Sequence, residues 1–141
     1  LFVEDHCRGI ELVLTQGRIG ETYNLGGGSE RANIDVVRML CRQLDAAFAA
    51  DSTLAGRFPA CPAARHRPTK ELIRHVADRP GHDRRYALDI TRARDELGYA
   101  PQAQFESALA ETLRRYLQNE PWWRRVMDGS YREWVHQHYG L

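Results

Sequence analysis

Apolar residues recur at helical spacing near both ends of this chain, with short strand-like runs between them. Val3, Cys7, Ile10 and Leu14 share one face, which predicts a helix over 3–16 that Gly17 can stop. A second helix opens at Asn33 and carries Ile34, Val37, Cys41, Leu44 and Phe48 on one side. Asn33 suits the position before the first turn, where its side-chain oxygen would meet free amides. Short runs at 22–25, 73–77 and 86–88 predict strands, the first ending in Gly26, Gly27 and Gly28. A short helix is expected over 89–97, stopped by Gly98 and Pro101. A longer one follows over 105–118, with Leu109, Leu113, Tyr116 and Leu117 inward, before Pro121 and an aromatic tail. The stretch 49–70 breaks the pattern. It holds Pro59, Pro62 and Pro68 with Arg57, Arg65 and Arg67, and no acid lies between Asp51 and Glu71. It is expected as a mobile surface loop. The chain therefore predicts an α/β unit of helices with a few short strands.

Composition narrows the picture only slightly. A hydrophobic content of 43% is ordinary for a globular chain. No apolar run approaches the roughly 20 residues that span a bilayer, so no membrane is expected. A net charge of +1 gives no reason to expect nucleic acid. Lys70 is the sole lysine among 20 basic residues, which reads as compositional bias rather than a binding surface. Cys7, Cys41 and Cys61 are odd in number and widely spaced, which argues for a reducing cytoplasm and against a disulfide framework. Cys7 and Cys41 are expected as small core residues. His136 and His138 lack the companions that would complete a metal site. Glu4 and Asp5, at a helix start, read as dipole partners and caps rather than catalytic carboxylates.

The chemistry concentrates in one nine-residue run, Asp78-Arg79-Pro80-Gly81-His82-Asp83-Arg84-Arg85-Tyr86. A plain link between two strands needs none of its three arginines, its histidine, its proline or its glycine. Arginine presents a planar fork of donors that pairs bidentately with phosphate and stays charged at any working pH. Pro80 fixes one φ and Gly81 permits unusual ones, so Arg79 and His82 can be aimed at one point. The run reads as an anion clamp, most simply for a diphosphate.

This run resembles, residue for residue, a segment of the dTDP-glucose 4,6-dehydratases, members of the extended short-chain dehydrogenase/reductase superfamily. Other stretches match in order: Val3-Glu4-Asp5-His6, Gly20-Glu21-Thr22-Tyr23-Asn24-Leu25-Gly26-Gly27 and Asn33-Ile34-Asp35-Val36-Val37. Glu96-Leu97-Gly98-Tyr99 with Pro101, then Phe105-Glu106-Ser107, are similar as well. So are Trp122-Trp123-Arg124-Arg125-Val126 and Asp128-Gly129-Ser130-Tyr131. The resemblance covers nearly the whole chain except about 47–70. The family's Gly-x-x-Gly-x-x-Gly dinucleotide loop and Tyr-x-x-x-Lys pair are not found: Tyr23 stands where a third glycine is needed, and His66 stands four before Lys70. Opening on Leu1-Phe2, at the edge of a family motif, the chain is expected to be a C-terminal portion.

The resemblance implies the substrate-binding lobe of a lyase of nucleotide-sugar metabolism, without the Rossmann core. In the whole enzyme, NAD takes a hydride from sugar C4, water leaves across C5 and C6, and the hydride returns to C6. It implies that Asn33, Asp78, Arg79, Pro80, Gly81 and His82 hold a dTDP-sugar, with His82 hydrogen-bonding a phosphate or sugar oxygen and Tyr131 a weaker contact. Catalytic and NAD-binding residues would lie in a missing N-terminal Rossmann lobe, so that the isolated chain is expected to be inactive. Whole enzymes of the family are usually homodimers. Two rivals stay open: the equivalent lobe of a nucleotide-sugar epimerase or decarboxylase, and a non-catalytic nucleotide-sugar-binding module.

Overall fold

The computed structural model describes residues 1–78, 80–127 and 129. Among the described residues there are six α-helices: α1 (Val3–Gln16), α2 (Asn33–Ala50), α3 (Thr53–Arg57), α4 (Thr91–Leu97), α5 (Phe105–Gln118) and α6 (Glu120–Met127). The periodicity at 3–16 and 105–118 translates directly into α1 and α5. Just before α4, Asp89 Oδ1 accepts the Thr91 amide at 2.8 Å. Gly98, at φ 66°, ends the helix, with the Gly98 amide donating to Arg94 and the Tyr99 amide to Ala93.

One core joins α1, α4 and the glycine run. Tyr99 is 2% exposed, and Ala93 and Leu97 are buried beside it. Gly9 of α1 allows the close approach, because a Cβ there would lie 2.9 Å from both Leu25 and Tyr99. The Tyr99 hydroxyl donates to the Gly26 carbonyl at 3.1 Å, and Gly26 in turn packs on Leu88 and Ile90. Asp5 is 1% exposed. It accepts the Gln102 and Ala103 amides at 2.9 and 3.0 Å and pairs with Arg8, which pins the turn after Tyr99 beneath α1. Its role as cap and dipole partner was the sequence expectation; its main work is this long-range tie.

A second cluster surrounds α2. The 49–70 stretch, expected as a loop, contains α3 and two 3₁₀ turns, Pro62–Arg65 and Thr69–Leu72, which pack on α2. Pro62 starts the first of these turns, where its missing amide costs nothing. The buried Thr69 holds the second, its amide donating to Asp45 at 3.0 Å and its hydroxyl to the Cys41 carbonyl at 3.0 Å. Phe58 links the cluster to α6, with ring centroids 6.5 Å from Phe48 and 6.3 Å from Trp123.

The α/β expectation is corrected in one respect: no strand forms among the described residues. Residues 22–25, 73–77 and 86–88 are not assigned to any regular element. A strand exists only by exchanging amides and carbonyls with a neighbour. Residues 24–26 and 88–90 meet instead through side chains and one Asn24 amide bond to the Asp89 carbonyl at 3.2 Å. Cys7, expected in the core, is exposed, and Cys41 is half-buried.

Much apolar surface stays open, including Val3, Leu14, Ile19, Val76, Trp122 and Met127. The purified chain is expected to bind a hydrophobic dye and to associate as concentration rises. Light scattering and dye titration check this, and a dye-silent monomer at every concentration would contradict it.

Candidate functional site

The 78–86 run turns at Pro80 and Gly81, with Gly81 at φ 72°, a value that suits glycine. The turn brings Asp78 back to His82, whose Nδ1 lies 2.6 Å from Asp78 Oδ1. The His82 ring also meets Tyr86, with centroids 6.4 Å apart. With Nδ1 engaged by Asp78, Nε2 is the ring nitrogen that remains to meet a ligand. Arg84 is exposed. Arg79 and Tyr131 lie outside the described residues.

The run is tied to the glycine loop. Glu30 Oε2 accepts from Arg85 Nη2 at 2.6 Å and from Nε at 2.8 Å. Next along, Arg31 pairs with Glu106 of α5 at 2.5 Å, and its guanidinium lies 5.0 Å from the Phe105 ring centre. Asn33 follows as the first residue of α2 and is exposed. Ala32, not Asn33, occupies the capping position, and no side chain caps the helix. The Asn33 amide group is thus left available at a helix N-terminus, where the dipole favours an anion. The structure joins Asp78 to His82 and Arg85 to Glu30; Asn33 has no bond to the described residues of the run and is linked to it through the chain at Glu30.

A set of exposed charges braces the glycine run from the other side. Glu96 receives the Tyr23 hydroxyl at 2.8 Å and Arg18 at 2.5 Å. The Tyr23 hydrogen bond, then Arg18 and Arg92, hold the Glu96 carboxyl below its ordinary value despite partial desolvation. Arg92 reaches Glu21 at 2.7 Å and lies over the Tyr23 ring. Sequence reasoning missed these ties and the Glu30–Arg85 pair, because no periodicity signals contacts 55 to 78 residues apart.

A groove of about 620 Å³ is lined by no described residue of the run. It lies between the start of α1 and α5, walled by Phe2, Val3, Gly27, Leu109, Tyr116 and Trp122. Among the described residues no group of three His, Cys, Asp or Glu could hold a metal ion, and no helix is long and apolar enough to cross a membrane.

A family described as GDP-mannose 4,6 dehydratase matches residues 1–112. A dTDP-glucose 4,6-dehydratase of Escherichia coli is 47% identical over 131 residues, covering 93% of this chain and 33% of its own length. One from Neisseria meningitidis serogroup B is 48% identical, covering 94% of this chain and 34% of its own length. The chain thus spans about a third of the length of the curated relatives it matches. Among solved structures, a dTDP-glucose 4,6-dehydratase from Bacillus anthracis in complex with NAD superposes with a TM-score of 0.67 at 35% identity. That match covers 88% of this chain and 32% of the other. The enzyme from Streptomyces venezuelae, with NAD and TYD bound, gives 0.64 at 41% identity, covering 84% and 30%.

Proposed function

We infer, from a chain that belongs to the GDP-mannose 4,6 dehydratase family, that it is the nucleotide-sugar-binding part of a dTDP-glucose 4,6-dehydratase. The observation that carries the reading is the Asp78–His82 pair, set inside an arginine-rich turn and tied through Arg85 to the loop before Asn33. His82 hydrogen-bonds a phosphate or sugar oxygen through Nε2. Arg79 offers its fork to the diphosphate, and the Asn33 amide contacts the nucleotide sugar at the start of α2. Tyr131 adds a weaker contact. The nucleotide sugar is held so that its reacting carbons project away from this lobe, and such positioning supplies part of a reaction's barrier lowering.

The described residues do not fit NAD. The glycine run follows no strand, a parallel sheet is lacking among them, and the Gly-x-x-Gly-x-x-Gly spacing is absent from the chain. No redox step is therefore assigned to these residues, and proton and hydride transfer belong to a further, N-terminal Rossmann lobe. The apolar wall of the large groove and the open face of α1 suit contact with such a lobe. The reading also implies that this chain by itself is inactive, that the whole enzyme is a homodimer, and that it works in the cytoplasm.

Calorimetry with dTDP tests the site. In the intact enzyme, Arg79→Ala is expected to weaken binding by about 1.5–3 kcal/mol, the scale of hydrogen bonds to charged groups. Arg79→Lys should recover only part of the loss, since an ammonium cannot make the forked contact. Unchanged affinity in the alanine variant would return the run to a charged turn.

A further inference from the structure

We propose that Glu30 and Arg31 form a two-way charge clip that positions the 78–86 run against the start of α2; the proposal rests on the reading that this run takes the diphosphate. The loop between Gly26 and α2 has almost nothing apolar to hold it. Residues 28–33 are all exposed, and a side chain at Gly28 would meet only open space. Gly26 is buried at one end under Tyr99 and Ile90, and α2 begins at the other. Between these anchors the two adjacent charges reach in different directions. Glu30 takes both Arg85 nitrogens at 2.6 and 2.8 Å. Arg31 is held by Glu106 at 2.5 Å and by the Phe105 ring face.

The consequence for the site follows from chain order. Arg85 directly precedes Tyr86, whose ring meets His82, and His82 is paired with Asp78. Asn33 is the third residue after Glu30, so at most about 11 Å of extended chain lies between the clip and the α2 N-terminus. The clip therefore couples both proposed halves of the site to one rigid helix, α5. Glu30 and Arg85 are 51% and 73% exposed, and exposed ion pairs contribute little to stability. A positioning role is thereby separable from a stabilising one: ligand affinity should respond where the melting temperature hardly does.

The test uses Glu30→Gln, Arg85→Gln and Glu106→Gln, the last reaching the run only through Arg31 and Glu30. Each is titrated with dTDP by calorimetry and melted in the absence of ligand. The expected result is a two- to fivefold loss of affinity in each, on the scale of a single exposed pair, with Tm within roughly 2 °C of the parent chain. The charge-swapped double variant Glu30→Arg with Arg85→Glu should regain most of that loss. Variants that bind dTDP as the parent does would overturn the clip alone, as would affinity losses matched by large falls in Tm. A parent chain that does not bind dTDP would overturn the nucleotide-sugar reading, and the clip with it.

Discussion

Tyr99→Ala is expected to destabilise the fold by about 3–5 kcal/mol, the range for removing a large aromatic side chain from a packed interior. Tyr99 is 2% exposed and touches three separate pieces of chain. Its ring edge packs on α1 at Gly9, its backbone amide closes α4 on Ala93, and its hydroxyl donates to the Gly26 carbonyl. Burial, and then the nearby Asp5 carboxylate, push the phenol up, so the hydroxyl keeps its proton and remains a donor. Tyr99→Phe separates the two contributions. It keeps the ring and leaves the Gly26 carbonyl without its donor, which costs about 1–3 kcal/mol. Urea unfolding followed by circular dichroism reads both variants. An alanine variant within about 1 kcal/mol of the parent chain would mean that α1, α4 and the glycine run do not share one core.

What the sequence disclosed and what it hid divide along contact range. α1 and α5 follow from 3.6-residue periodicity, and α4 from Gly98 behind Leu97, because these signals are local. The turn at Pro80 and Gly81 was legible for the same reason, and it brings Asp78 to His82 four residues on. The 49–70 stretch was misread because its prolines and arginines have the composition of a loop. There Pro62 opens a 3₁₀ turn, and Thr69 is buried by bonds to Asp45 and Cys41, some 24 and 28 residues away. Strands were expected from β-branched and apolar runs, yet a strand depends on a partner that local pattern cannot supply. Asn33 was read as a cap because of its residue type, whereas backbone geometry gives that position to Ala32 and leaves Asn33 in the first turn.

Asp5 is the clearest residue whose role appears only in three dimensions, and Asp5→Ala is expected to destabilise the chain by about 2–4 kcal/mol. Burial by itself would push the Asp5 carboxyl up. The Gln102 and Ala103 amides, and then the Arg8 guanidinium, outweigh burial and hold it below the ordinary carboxylate value. Removing the carboxylate strands two part-buried amides 97 and 98 residues away in sequence, each costing roughly 1–3 kcal/mol when left without an acceptor. The pH dependence follows from the direction of the shift. A carboxyl whose folded value is depressed stabilises the fold fully above its unfolded value, near pH 4, and loses that contribution as pH falls through the lower folded value. Asp5→Asn keeps the shape and one acceptor oxygen but cannot ionise. Its deficit against the parent chain should be largest at pH 7 and shrink as pH falls below the unfolded value, where the unfolded parent chain takes up the proton first. Urea titrations of both chains at pH 7, 5 and 3 measure that difference directly. A deficit constant across the series would show that the Asp5 charge contributes nothing, and that the loss comes only from the acceptor oxygen that Asn lacks for the Gln102 and Ala103 amides.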